Sequence, residues 1–363
     1  MGTVIVRVLL LGLCLVAGGF PASAADPRGV SANSGTVGIV SGGVEGTYVR
    51  IASDLASVLD DGDRLRVLPM LGKGSVQNLK DIVLLKGIDV GIVQSDVLAY
   101  AKREKLLPNI GQRIKYITKL YNEELHILAG PDVARIEDLA GRKVNVDVQG
   151  SGTQMTASLI FGMLGITVDP QANDQAVALE KLRKGEIAAM AYVAGKPTRL
   201  FRDLKGDGGL HFLSIPMTAE LLETYLPSSL TAADYDGLIK PGEDVDTVAV
   251  GAVMAVYGWE RELERHRKVA RFVDAFFSRF DEFLKPPRHP KWKEVNLAAE
   301  IPGWTRFEPA ELWLRQAGAG SGQQSPAGKK EDFRMFAAQR GIEPRQAEKL
   351  FEQFLLWQAR SQP

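Results

Sequence analysis

The sequence predicts an α/β protein of two domains, and three observations predict it. Between Thr36 and Ala101 a β-branched run, a loop rich in glycine or hydroxyl residues and a helical pattern follow one another three times, the order that builds a mostly parallel sheet. A second series of the same kind opens near Val144. With 363 residues and an apolar content of 45%, the chain is long enough to fill two cores.

Taken in order, the chain opens on an export signal. Arg7 precedes an apolar run from Val8 to Ala17, and Ala22-Ser23-Ala24 follows, the small-x-small pattern read by signal peptidase. Residues 1–24 are therefore expected to be cleaved, since the apolar run is short for a membrane span. The sole cysteine, Cys14, lies inside that run behind Leu13, which is too large for a lipoprotein signal. A mature chain without thiols suits an oxidising compartment and excludes disulfides, cysteine nucleophiles and thiolate metal sites.

The first unit is Thr36 to Leu59. Val37, Ile39 and Val40 favour a buried strand, and Tyr48, Ile51, Ala52, Leu55, Val58 and Leu59 recur on one helix face. Between them Gly42, Gly43 and Gly46 permit close backbone approach, and Thr47 is the expected N-cap. Leu65, Val67 and Leu68 make the second strand, after which Leu71-Gly72-Lys73-Gly74 leads to Ser75 as cap of a helix ending near Gly87. Asp89 to Gln94 is the third strand, ending at Ser95-Asp96 before a helix through Leu98 and Tyr100. In a parallel sheet all three loops lie beyond the carboxyl ends of the strands, where ligands bind.

Ile114 to Tyr121 and Leu125 to Ala129 read as two extended segments. The strand Val144 to Val148 then runs into Gln149-Gly150-Ser151-Gly152-Thr153 and a helix through Met155, Leu159 and Ile160, the strongest local signal for an anion nest at a helix start. Gln175 to Lys184 is helical and Ile187 to Val193 a strand, with Ala194-Gly195-Lys196-Pro197 as a further loop. Ala219 to Leu226 reads as helix, Asp234 to Asp246 as a turn-rich connection, and Thr247 to Tyr257 as a buried strand returning toward the first domain. Trp259 to Leu284 is amphipathic, with Val269, Phe272, Val273, Phe276, Phe277 and Phe280 on its inner face. Residues 316–330 have the Gly/Ala/Ser/Gln composition of a flexible linker, and 331–360 read as a C-terminal helical extension.

Composition narrows the function. Lys plus Arg and Asp plus Glu are balanced at 44 each, and no basic run suggests nucleic acid. His126, His211, His266 and His289 lack metal-ligand spacing, and no Gly-x-Ser-x-Gly elbow is present. Gly72-Lys73-Gly74-Ser75 lacks the spacing of a phosphate-binding loop, and Gln77 stands where a dinucleotide fingerprint needs glycine. No catalytic residue, metal or cofactor is assigned; the chain reads as a binder.

The blocks Ser41-Gly42-Gly43-Val44-Glu45-Gly46-Thr47-Tyr48, Gly74-Ser75-Val76-Gln77-Asn78-Leu79, Val93-Gln94-Ser95-Asp96, Leu120-Tyr121 before an acidic pair and His126, Gly150-Ser151-Gly152-Thr153, and Asp244 to Val250 occur in that order. In order and spacing the chain resembles the TAXI-type solute-binding proteins of tripartite ATP-independent (TRAP) transporters. The resemblance implies a bilobed periplasmic-binding fold, type II-like, that closes on a carboxylate or amino-acid solute, commonly glutamate, and delivers it to a membrane permease. It places one lobe at 33–119 and 248–320 and the other at 120–247. A periplasmic sensing subunit, or an enzyme or precursor-binding protein on the same scaffold, are the alternative functions.

The candidate ligand residues are Gly42, Gly43, Glu45, Thr47, Tyr48, Lys73, Ser75, Asn78, Gln94, Ser95, Tyr121, Ser151, Gly152, Thr153 and Lys196. Tyr48 and Tyr121 offer either an aromatic wall with a phenol donor or ordinary core packing. Glu45, Lys73 and Lys196 either pair with one another at the rim or sort a ligand carrying both carboxylate and ammonium groups.

Overall fold

A computed structural model describes residues 35–205 and 207–320. The expected export signal and C-terminal helical extension lie outside the described residues. The strands are β1 (Thr36–Val40), β2 (Arg66–Met70), β3 (Val90–Gln94), β4 (Ile114–Ala129), β5 (Lys143–Asn145), β6 (Asp169–Gln171), β7 (Ala189–Ala194), β8 (His211–Phe212), β9 (Leu226–Thr231) and β10 (Asp244–Tyr257). The α-helices are α1 (Thr47–Leu59), α2 (Ser75–Leu84), α3 (Val97–Arg103), α4 (Ile110–Arg113), α5 (Gly152–Met163), α6 (Gln175–Arg183), α7 (Arg199–Arg202), α8 (Ala219–Thr224), α9 (Glu264–Ser278) and α10 (Glu308–Gly320). Among the described residues no helix is long and apolar enough to cross a membrane.

The strand order is β2-β1-β3-β10-β4-β7-β5-β6, with β8 on β4 and β9 on β10. At each end the pairing is parallel, β1 with β2 and β3, and β5 with β6 and β7. In the middle β4 and β10 run antiparallel to each other and to their outer neighbours β7 and β3. These two long strands belong to both halves. Ala252–Val256 of β10 pairs with β3, whereas Asp244–Ala249 pairs with β9; on β4 it is Glu124–Ala129 that pairs with β7. The result is a bilobed α/β architecture with the strand pair as its spine.

Each lobe buries both faces of its part of the sheet. In the first, Ile51 and Leu55 of α1 and Phe272 and Phe276 of α9 pack with Trp292 on one face; Leu79 and Ile82 of α2 and Leu98 of α3 cover the other. In the second, Ile160 and Phe161 of α5 pack on one face, and Leu179 and Leu182 of α6 with Phe201 and Tyr235 on the other. Coverage on both faces is why β3 and β7 are buried at every position and read as continuous apolar runs rather than alternating ones.

The structure departs from the sequence expectation where pairing partners are distant. Asn122–Glu124, polar enough to read as a break, continues β4 because β10 pairs with it. Leu226, expected as the last residue of a helix, instead opens β9, which pairs with Asp244–Ala249 of β10, the first three of which read as part of a connection. The run from Trp259 divides into α9 and a 3₁₀ turn at Phe280–Leu284; Trp259 stays outside, 5.3 Å below the Arg265 guanidinium. Gln316–Gly320, expected as the start of a flexible linker, forms the last part of α10, where Ala317 favours the helix.

The aromatic face of α9 brings Phe272, Phe276 and Phe277 into the first core. Phe276 is fully buried, with ring centroids 5.5 Å from Phe283 and 6.1 Å from Trp292. Phe276→Ala is expected to cost about 3–5 kcal/mol, read as a lower urea midpoint at unchanged slope. Phe280→Ala, at a partly buried position, should cost less in the same measurement.

Candidate functional site

Three helices begin at one cavity. α1 starts behind the N-cap Gly46, α2 behind Gly74 and α5 behind Ser151, and all three turns line a cavity of about 60 Å³. Thr47 and Ser75, expected as caps, are instead the first residues of their helices, and neither α1 nor α2 carries a side-chain cap. Gly74 has φ 104°, a backbone that strongly favours glycine, so the hydroxyl moves one position along. Its new task is structural: Ser75 Oγ accepts from the Gln94 N–H at 2.9 Å and donates to Gln94 Oε1 at 3.0 Å, fixing α2 to the end of β3. Ser151 does cap its helix, accepting from the Gln154 N–H at 3.0 Å. The free N–H groups of the three starts give the cavity a positive partial charge.

Two carboxyl side chains share the cavity with them. Glu123 and Asp147 both line the cavity. Tyr48 donates its hydroxyl to Glu123 Oε2 at 2.6 Å. Burial pushes the Glu123 carboxyl up to about 8 against the pull of that hydrogen bond. Burial also lifts Asp147 to about 6, partly offset by the Val148 N–H. Asp147 has φ 73°, in the left-handed region, a conformation that is uncommon outside glycine and tolerated by aspartate. Burial, then Glu123, raise the Tyr48 phenol well above its ordinary value, so it stays a donor. Lys73 adds an exposed ammonium at the edge of the cavity. The lining is thus amphoteric, combining the helix starts and one lysine with two carboxyl groups.

The lobes meet around this cavity. The Gln77 N–H donates to the Gly150 carbonyl at 2.9 Å, and Thr156 and Tyr225 donate to Asp96 Oδ2 at 3.0 and 3.2 Å. A Cβ on Gly152 would lie 2.1 Å from Gln94 Oε1 and 2.6 Å from Ser75 Oγ. Only a residue without a side chain lets α5 approach β3 and α2 this closely.

Of the residues singled out in the sequence, Gly42, Gly43, Thr47, Tyr48, Lys73, Ser75, Gln94, Ser151, Gly152 and Thr153 line the cavity. The other five lie elsewhere. The Asn78 amide is buried and donates to the carbonyls of Ser41 and Ile92 at 2.5 and 2.8 Å, stitching two loop ends together. Ser95 gives its N–H to Gly251 and its carbonyl to the Trp304 indole. Tyr121 is fully buried in the first core, with no partner for its hydroxyl among the described residues. Lys196 turns its ammonium to Asp234, at 3.0 Å, and to the Ser229 carbonyl, so it does not join Lys73. Glu45 lines a neighbouring cleft instead.

Sequence reasoning missed Glu123, Asp147 and Tyr192, which also line the cavity. The signal for Asp147 was its place at the carboxyl end of a strand just before Gly150-Ser151, where ligands of parallel sheets bind. For Glu123 it was the acidic pair after Tyr121: adjacent strand residues face opposite ways, so one carboxylate enters the cavity while Glu124 takes the buried Lys291 ammonium at 3.2 Å.

Fold and site together define a class, a two-lobed α/β protein with a polar cavity at the seam between its lobes. The chain belongs to the NMT1-like family, whose model matches residues 39–297. It is similar to a solved periplasmic transporter structure at 14% identity, covering 77% of this chain and 93% of that one with a TM-score of 0.48. It is also similar to the periplasmic binding protein BugD, at 13% identity, 77% and 93% coverage and a TM-score of 0.46. A third similar structure is the alkanesulfonate-binding protein SsuA from Xanthomonas axonopodis pv. citri bound to MOPS, at 14% identity, 85% and 93% coverage and a TM-score of 0.42.

The raised Glu123 carboxyl has a signed consequence. The folded chain holds this proton more tightly than an unfolded chain, whose value is near 4.5, so the group's contribution to stability is complete below that pH and is lost as pH rises through about 8. Glu123→Gln should flatten the fall in melting temperature between those limits; an unchanged slope would mean that Glu123 titrates as an ordinary carboxylate.

Proposed function

We propose that this protein is the periplasmic solute receptor of a TAXI-type TRAP transporter, capturing a small amino-acid-like solute and passing it to a membrane permease. One observation carries the reading: helix starts from both lobes, the buried Glu123 and the half-buried Asp147 line the same small cavity. The order of the sequence blocks, family membership and the bilobed fold support the class.

The solute's chemistry follows from the charges. A carboxylate is stabilised at the N–H groups of α1, α2 and α5. An ammonium is stabilised by Glu123 and Asp147, whose raised affinity for protons is the counterpart of their affinity for a cation. An α-amino acid has both groups on one carbon. A plain dicarboxylate has no cation to offer these carboxyls, and it leaves the buried Glu123 protonated. Binding works by closure: solute held by one lobe completes its hydrogen bonds only when the other arrives, so differential affinity drives the closed state.

Calorimetric titration with L-glutamate and 2-oxoglutarate, which differ in the amine, tests the solute class. Glutamate is expected to bind at least tenfold more tightly and, at pH 7, to release a proton from Glu123, seen as a heat that depends on the buffer's ionisation enthalpy. Equal affinities with no proton release would overturn the ammonium assignment. Closure has its own test. Gly152→Ala should hold the lobes apart, lowering glutamate affinity at least tenfold and keeping the radius of gyration in X-ray scattering at its ligand-free value under saturating glutamate. A variant that contracts and binds like the parent would show that closure does not need the contact.

A further inference from the structure

A second cleft, of about 270 Å³, adjoins the inner cavity. Gly46 and Thr47 line both, and the seam between them is crossed by a 3.5 Å contact from Thr47 Oγ1 to the Gly195 carbonyl. Its walls come from both lobes, with Glu45, Arg50 and His289 on one side and Pro197, Arg199 and Arg202 on the other. All three arginines are exposed. Arg50 and Arg199 make no ion pair or side-chain hydrogen bond among the described residues, and Arg202 has a surface contact with its neighbour Asp203 at 3.2 Å, of the kind worth little. His289 adds no charge at neutral pH, because burial lowers its affinity for a proton. Three guanidinium groups therefore face one carboxylate, Glu45, in a concave site spanning the two lobes.

The inner cavity is too small for a whole extended solute. By the volume one water needs, its 60 Å³ holds roughly four to six atom-sized groups, enough for the amine, α-carbon and carboxylate of an amino acid. A longer side chain has to leave, and the rim shared at Gly46 and Thr47 leads into the arginine-lined cleft. We propose that this outer cleft is a second subsite, which receives an anionic group at the far end of the solute whose amino-acid head occupies the inner cavity. It rests on the amino-acid reading of that cavity. Guanidinium groups take carboxylate, sulfonate and phosphate oxygens in paired hydrogen bonds. Because Arg50 and Arg199 sit on opposite lobes, an anion between them also stabilises the closed state.

The test compares L-alanine, L-glutamine, L-glutamate and O-phospho-L-serine by calorimetry on the parent protein, Arg50→Gln/Arg199→Gln and Arg202→Gln. The parent is expected to bind the two acid-tailed probes at least tenfold more tightly than L-glutamine, with the advantage shrinking as salt is raised. The double variant should lose that advantage to within threefold while keeping the parent's affinity for L-alanine and L-glutamine, and Arg202→Gln should lose part of it. Unchanged melting temperatures would show the variants folded. Neutral amino acids that bind, with no preference for acid tails or one that survives the double variant, would overturn the outer subsite alone and leave the arginines as a surface for a protein partner. Failure of all four probes on the parent would overturn the amino-acid head and the subsite together.

Discussion

The site depends on a property of β-structure: consecutive residues of a strand face opposite ways. At the middle of β4 the consecutive residues are Glu123 and Glu124, both buried. Glu123 enters the cavity and accepts from Tyr48. Glu124 faces away, where the nearly buried Lys291 ammonium and the Lys196 N–H satisfy it. The pairing keeps one charge balanced while the other is left to the cavity, and it ties the 3₁₀ turn at Pro290–Glu294 to the spine. Just before this pair, Leu120 and Tyr121 stand opposite the single residue Ala252, between the pairs Val253 with Lys119 and Gly251 with Asn122. Such a bulge increases local twist and re-aims side chains.

The same spine sets which site groups keep a fixed relation to each other. β4 and β10 carry the chain through both lobes, so the groups on them hold their relation to each other. The helix starts are attached to the lobes instead, α1 and α2 to the first and α5 to the second. Contacts across the seam are mixed: Met155 of α5 packs into the first lobe's cluster with Val76 and Leu79, beside the Gln77 to Gly150 hydrogen bond and the two donors on Asp96. Burial lifts the Asp96 carboxyl to about 6, and its second oxygen has no partner. The seam thus combines polar groups with a small apolar contact, whereas Phe276, Phe283 and Trp292 pack ring on ring within the first lobe.

Much of this was present in the sequence by itself. Strand, loop and helix succeed one another with local signals that need no partner: β-branched runs, three-and-four spacing, and glycine at the turns. Those signals located the loops from Gly42, Gly74 and Ser151, and the general rule for parallel sheets placed such loops at one edge. What only the tertiary structure decided concerns residues whose role depends on a distant neighbour. Leu226–Thr231 is a strand because β10 lies beside it; Asn122–Glu124 is continuous strand for the same reason. Lys196 and Lys73 have similar loop settings in the sequence, yet Asp234 and Ser229 draw one ammonium away while the other remains at the cavity. Asn78 and Tyr121 are placed by packing against segments that sequence distance cannot reveal. Glu123 and Glu124 show the limit most plainly: the sequence by itself makes them an acidic pair on opposite faces, but which face becomes cavity and which becomes ion pair is set by the fold, because charge acquires a role only from what surrounds it.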